Sequence, residues 1–178
     1  GLIVPGGEST TLLKLMDAGR FVPALEKFHA DGNPIFGTCA GLIVLAREVL
    51  NPAQFSLGFI DVTVERNAYG RQKESFEAEG QATLEGAARA VPLVFIRAPR
   101  IRRLGPRVAS LASHRGECVM AREGSVLVAT FHPELTDDPT VHHYFAGMVL
   151  GAGRHIPPRT DRRPHRPPLL CWHGGGGD

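Results

Sequence analysis

Apolar positions follow two rhythms along this chain, and the two alternate through its first third. Gly1-Leu2-Ile3-Val4 is a short apolar run closed by Pro5-Gly6-Gly7, the composition of a β-strand running into a turn. Ser9-Thr10-Thr11 offers a helix cap for the apolar stretch through Leu12, Leu13, Leu15 and Met16, and Gly19 supplies the stop. Residues 21–30 read as a second helix, with Pro23 near its start, Val22, Leu25 and Phe28 on one side, and Asp31-Gly32 at its end. Pro34-Ile35-Phe36 predicts a buried strand, followed by Gly37-Thr38-Cys39-Ala40-Gly41 and a helix through Leu42, Leu45, Ala46 and Val49. Residues 59–65 alternate with period two, and 75–82, 91–96, 118–121 and 125–131 read as further strands before a closing helix over 141–150. Helix and strand alternating early, with strands clustered in the middle, predict an α/β open sheet, mostly parallel, with an antiparallel addition.

Composition narrows the function classes. At 178 residues, 43% hydrophobic and 21% charged, the chain reads as one ordinary globular domain over 1–150. Eleven of the 28 residues from 151 to 178 are Pro or Gly with arginines interspersed, so this tail is expected to be disordered. The tail's five arginines against two aspartates give it +3, which leaves residues 1–150 at −1 out of the overall +2. A near-neutral body lacks the clustered basic face that nucleic acid requires. No apolar run reaches the roughly 18 residues of a membrane span, and no secretory signal opens the chain, so a soluble, cytoplasmic protein is expected. Cys39, Cys118 and Cys171 form no CxxC pair and no disulfide framework, and the histidines show no ligand spacing, so no metal site is assigned.

Three segments carry chemistry. Gly37-Thr38-Cys39-Ala40-Gly41 fits the nucleophile-elbow pattern G-x-S-x-G with cysteine in place of serine. A sharp strand-to-helix turn forces the nucleophile outward, the flanking glycines relieve clashes, and the helix N-terminus favours the thiolate. The Ala40 N–H would face a developing oxyanion. Phe131-His132-Pro133-Glu134 supplies a base: proline at 133 favours extended geometry at His132, so 132 and 134 project together and Glu134 can orient the imidazole. A surface histidine at a strand end is the competing reading. In Pro5-Gly6-Gly7-Glu8-Ser9, Gly7 is the candidate second oxyanion donor, and a plain glycine turn capping a helix fits these residues equally well. Arg66 and Arg97 each stand at a strand edge, where an arginine clamps a carboxylate or is simply solvated.

Taken together, Pro-Gly-Gly-Glu-Ser-Thr-Thr (5–11), Phe-Gly-Thr-Cys-Ala-Gly-Leu (36–42), Val-Glu-Arg-Asn (64–67), Gly-Arg-Gln-Lys-Glu-Ser-Phe-Glu (70–77), Phe-Ile-Arg-Ala-Pro (95–99) and Phe-His-Pro-Glu-Leu-Thr (131–136) appear in order. Over 1–150 the chain resembles the family of glutaminase subunits of pyridoxal 5'-phosphate synthase. The resemblance implies the three-layer, doubly wound, mostly parallel sheet of the class I glutamine amidotransferase (flavodoxin-like) type. It implies hydrolysis of L-glutamine by a Cys39–His132–Glu134 triad through a γ-glutamyl thioester. Ammonia then passes to a synthase subunit in a hetero-oligomer, which makes pyridoxal 5'-phosphate as product; no cofactor is implied for the glutaminase itself. Gly7, Glu8, Ser9, Arg66, Ile96 and Arg97 fall on the positions that hold glutamine, partly through main-chain groups. The family begins with a further strand, a Gln-Gly loop, a helix and a second strand, so the sheet is expected to lack its N-terminal β-α-β segment. A catalytically impaired fragment that only binds a partner is therefore one alternative reading. Another amidotransferase or a cysteine-peptidase-like hydrolase is a second, and the 64–77 block argues against it.

Overall fold

The computed structural model describes residues 1–66 and 75–152. Asn67, the 70–74 part of the glycine-arginine motif, Cys171 and the tail expectation lie outside these residues. In chain order the elements are β1 (Leu2–Val4), α1 (Ser9–Ala18), α2 (Phe21–Ala30), β2 (Ile35–Thr38), α3 (Ala40–Leu45), β3 (Ala46–Leu50) and β4 (Ile60–Glu65). They continue with β5 (Ser75–Leu84), β6 (Ala87–Ile96), β7 (Arg100–Leu104), β8 (Ala109–His114), β9 (Glu117–Glu123), β10 (Val126–Ala129), a 3-10 turn (Pro133–Leu135) and α4 (Thr140–Ala152).

A seven-stranded sheet runs in the order β1-β2-β10-β9-β8-β5-β6, and a three-stranded one in the order β3-β4-β7. The expected α/β design with its antiparallel addition is present, but the addition outweighs the parallel part. Among the described residues, parallel pairing is confined to β1–β2, β2–β10 and β3–β4, and every other ladder is antiparallel. The physical reason lies in the connections. Strands β5 and β6, β8 and β9, and β9 and β10 are each joined by a short turn, which permits antiparallel neighbours only, whereas a parallel neighbour needs a long crossover.

Strands β2 and β10 are buried along their whole length, as parallel strands covered on both faces must be. Their period-two alternation divides the interior. Phe36, Leu127 and Ala129 face a core with Leu93 and Phe95 of β6 and Val141, Phe145 and Met148 of α4. Ile35, Val126 and Val128 face the opposite core with Leu42 and Leu45 of α3 and Ile60 and Val62 of β4. Helices therefore cover both faces of the sheet, in three layers. Strand β1 is an edge strand among the described residues, and an apolar groove of about 260 Å³ runs beside it, lined by Leu2, Val4, Leu12, Met16, Phe21 and Leu25.

Two local readings of the sequence are corrected. The helix after the elbow ends at Leu45 rather than continuing to Val49, because residues 46–50 pair with β4, Ala46 opposite Ile60 and Val49 opposite Val64. Ala46 and Val49 are three apart and fit a helix face as well as a bulged strand; the available ladder decides. The cap of α1 is Glu8, not the Ser-Thr-Thr cluster: its carboxylate accepts from the N–H groups of Thr10 at 3.0 Å and Thr11 at 2.7 Å.

Candidate active site

The elbow forms where β2 passes into α3. Cys39 has φ 48° and ψ −103°, a strained conformation for a residue with a side chain and the one that turns a nucleophile out of a strand-to-helix bend. Both flanking glycines are explained sterically. A Cβ on Gly41 would overlap the Val4 carbonyl oxygen of β1, and one on Gly37 would stand 2.7 Å from Leu45 Cδ1 and 2.8 Å from the Gly41 carbonyl carbon. Glycine at both positions lets three pieces of backbone meet. The Cys39 N–H donates to the Ala129 carbonyl at 2.8 Å, which ties the elbow to the end of β10.

The Cys39 thiol is 6% exposed, and its Sγ lies 3.9 Å from the Ile96 carbonyl oxygen. Burial pushes the thiol up to about 11. The Ala40 N–H and the Arg97 charge pull it down, and the Glu134 charge adds to the rise. The expectation that the helix N-terminus favours the thiolate is thus reversed in direction. The Ala40 N–H acts as expected, but α3 has only six residues and burial outweighs it. Cys39 rests as a neutral thiol and needs a base to become a nucleophile.

The candidate base stands one strand away. Strands β10 and β2 are paired in parallel with Ala129 opposite Thr38, so the segment leaving β10 emerges beside the elbow. The His132 N–H donates to the Val94 carbonyl of β6 at 2.8 Å. Its Nδ1 lies 2.8 Å from Glu134 Oε1. The carboxylate can only accept, so Nδ1 carries the proton of this contact. The pairing expected from the two-residue spacing is present, but its geometry differs: Pro133–Leu135 is a 3-10 turn, not extended chain. Proline at the first turn position presets a helical φ, and the turn curls Glu134 back toward the imidazole. The ring is enclosed, and the Glu134 side chain is 41% exposed.

Gly7 has φ 140°, a conformation that residues with side chains rarely adopt, directly before α1. Glu8 is occupied as the cap of α1. Partial desolvation would raise its carboxyl, but the N–H groups of Thr10 and Thr11 and the Thr11 hydroxyl outweigh this and lower it to about 2. Its Oε1 also lies 3.3 Å from an Arg66 guanidinium nitrogen, which reaches Thr10 Oγ1 at 3.4 Å. The Ser9 hydroxyl is buried and donates to Gln54 Oε1 at 3.2 Å. The side chains of Glu8 and Ser9 are therefore engaged within the protein, and the Glu8 carbonyl accepts from the Leu12 N–H at 3.0 Å. Ile96 ends β6 and Arg97 follows it; Arg97 has φ 45° and is exposed, with its charge acting on Cys39.

The structure thus brings the Ile96 carbonyl and the charges of Arg97 and Glu134 to Cys39, and Glu134 and Gly6 to the His132 ring, while Gly7 precedes α1, where Glu8 pairs with Arg66. Sequence reasoning passes over two participants. Gly6 lies against the His132 ring, and Gln54 holds Ser9. In the sequence Gly6 is only half of a glycine doublet; Gln54, in an irregular connection, carries no local signal. Among the described residues, no group of three or more His, Cys, Asp or Glu is placed to hold a metal ion.

A cysteine elbow beside a His–carboxylate pair at the carboxyl end of parallel strands is, in architecture, a thiol-dependent acyl-transfer hydrolase. Likeness to known proteins makes the class specific. Residues 1–150 match the model of the SNO glutamine amidotransferase family, and the chain belongs to that family. The chain is 50% identical over 152 residues to the pyridoxal 5'-phosphate synthase subunit PdxT of Niallia circulans, covering 85% of this chain and 79% of that protein. Identity to the PdxT subunit of Thermosipho africanus is 48% over 149 residues, 84% of this chain and 78% of that one. A crystal structure of a glutamine amidotransferase superposes with TM-score 0.75 at 47% identity, covering 85% of this chain and 78% of that one. A glutamine amidotransferase from Thermotoga maritima shares the fold alone, with TM-score 0.51 at 14% identity over 85% of this chain and 70% of that one.

Proposed function

We propose that this chain hydrolyses L-glutamine to glutamate and ammonia as the glutaminase subunit of a pyridoxal 5'-phosphate synthase, passing the ammonia to a synthase subunit in a hetero-oligomer. One observation supports the mechanism most. It is the parallel pairing of β2 and β10, whose ends lead on one side into a strained cysteine elbow and on the other into an imidazole whose Nδ1 lies 2.8 Å from a carboxylate. His132 Nε2 takes the thiol proton as Sγ attacks the carboxamide carbon. The Ala40 and Gly7 N–H groups receive the developing oxyanion. The same proton goes to the leaving nitrogen, ammonia departs and a γ-glutamyl thioester remains. Water, deprotonated by His132, then attacks the thioester, and Cys39 regains its proton as glutamate leaves. Glu134 holds the imidazole in the productive tautomer throughout. No step calls on a cofactor; pyridoxal 5'-phosphate is the product of the whole complex.

The direct test uses the full chain mixed with the synthase subunit of a close relative. Ammonia release from glutamine is expected, together with a mass increase on the Cys39 peptide after treatment with a glutamine analogue carrying an electrophile. Absence of both, with the protein folded, overturns the reading.

Arg66 is assigned to the carboxylate end of glutamine, because its guanidinium bridges the end of β4 to the cap of α1. Arg66→Ala is expected to raise KM for glutamine roughly 10- to 100-fold, the value of about 1.5–3 kcal/mol for a charged hydrogen bond, with kcat little changed. Steady-state kinetics decide it: a fall in kcat at constant KM would move Arg66 from binding substrate to positioning the machinery.

A further inference from the structure

We propose that Gly6 is a positioning residue for the catalytic base: its lack of a side chain creates the surface on which the His132 imidazole lies, so that only glycine at 6 permits the ring to meet Glu134. The proposal rests on the reading of His132 as general base and adds a residue whose role is separate from that of its neighbour Gly7.

Three observations carry it. First, the backbone at Gly6 does not itself require glycine. Gly7 has φ 140°, whereas Gly6 is absent from the positive-φ residues, so alanine is conformationally allowed there. Second, the space a side chain would enter is filled by the ring. A Cβ on Gly6 would overlap His132 Cε1 and would stand 2.9 Å from Nδ1 and 3.4 Å from Nε2, and these three ring atoms are its nearest neighbours. At Gly37 and Gly41 the obstacle includes main chain; at Gly6 it is the imidazole. Third, the ring has nowhere to go. Its Nδ1 is held by Glu134 at 2.8 Å, the residue's own N–H is held by Val94 at 2.8 Å, and its side chain is 11% exposed.

A methyl at 6 must therefore turn the ring away from Glu134 or push back the 5–7 loop. Turning the ring misaligns both nitrogens at once, because Nδ1 and Nε2 belong to one rigid plane. Pushing back the loop carries Gly7 with it. Either movement disturbs groups that act on the reacting carbonyl, and a displacement of about 1 Å there can cost on the order of 10²-fold in rate.

The test is a double-mutant cycle read by thermal melting, with no glutamine present. Gly6→Ala in the full chain is expected to lower the melting midpoint by about 5 °C, from overpacking against a held ring. In a His132→Ala background, where the ring is gone, the same change should lower it by less than about 1 °C. Equal losses in the two backgrounds overturn the proposal. If Gly6→Ala alone does not fold, recovery of folding in Gly6→Ala/His132→Ala supports it, and failure of both overturns it. Kinetics give a second arm: kcat roughly 10²-fold lower with KM within about threefold is expected. A raised KM at unchanged kcat would assign Gly6 to glutamine binding instead. Because the melting cycle reads no turnover, it separates failure of this inference from failure of the glutaminase assignment.

Discussion

Cys39→Ala is expected to reduce ammonia release from glutamine by at least about 10⁴-fold, to the background of the assay, while the protein stays folded. Among the described residues, one other thiol is present. Cys118, the other described free cysteine, is partly buried in β9, where its Sγ donates to the Met120 carbonyl at 3.3 Å. Alanine removes the sulfur and keeps the Cβ, and the strained φ of 48° is tolerated by alanine about as poorly as by cysteine, so the backbone cost changes little. Ammonia assays in the presence of the synthase partner, alongside circular dichroism, check the expectation. Turnover within tenfold of the parent would remove Cys39 from the mechanism, and with it the thioester.

His132→Ala is expected to lower kcat by roughly 10³-fold, within the range general-base catalysis contributes, and to change the pH dependence of what remains. Burial holds the thiol at about 11, above its ordinary range, so in the folded protein the thiolate is scarce at neutral pH and grows as pH rises. Without the imidazole, only that free thiolate attacks. The residual rate should therefore climb about tenfold per pH unit from pH 7 toward the thiol's own pKa, whereas the parent enzyme, supplied with a base, lacks this slope. A residual rate that is flat between pH 7 and 9 would show that His132 does not take the Cys39 proton.

Both predictions depend on a site whose parts were unequally legible in the sequence. The elbow could be read because its requirements are local: glycine at 37 and 41 about a cysteine, an apolar strand before and an apolar run after. The structure adds what those glycines meet, the Val4 carbonyl at Gly41 and, at Gly37, Leu45 and the Gly41 backbone. The His132–Glu134 pair could be read from its two-residue spacing, but the route was different, a 3-10 turn in place of extended chain. Proline at 133 is compatible with both, and the fold around β6 selects the turn by holding the His132 N–H. Strands β7 and β8 were not legible. Strand β7, Arg-Ile-Arg-Arg-Leu, carries no alternation that marks a strand, and it is secured by Arg102 on Glu65 and Arg103 on Asp61 across the small sheet. Such pairs exist only after the chain has folded.

What the amino-acid sequence determined by itself was short-range: the elbow, the turn residues, the apolar rhythm of β2, β4 and β10, and the motifs that belong to the glutamine amidotransferase family. Each depends on sterics or hydration within a few neighbouring residues. What only the tertiary structure decided was everything that depends on which surfaces meet. Pairing with β4 converted residues 46–50 from helix to strand. Capping of α1 and the ion pair with Arg66 took the Glu8 carboxylate out of the set of free ligands. Burial turned Cys39 from the expected thiolate into a thiol, because desolvation penalises charge more strongly than one short helix can stabilise it.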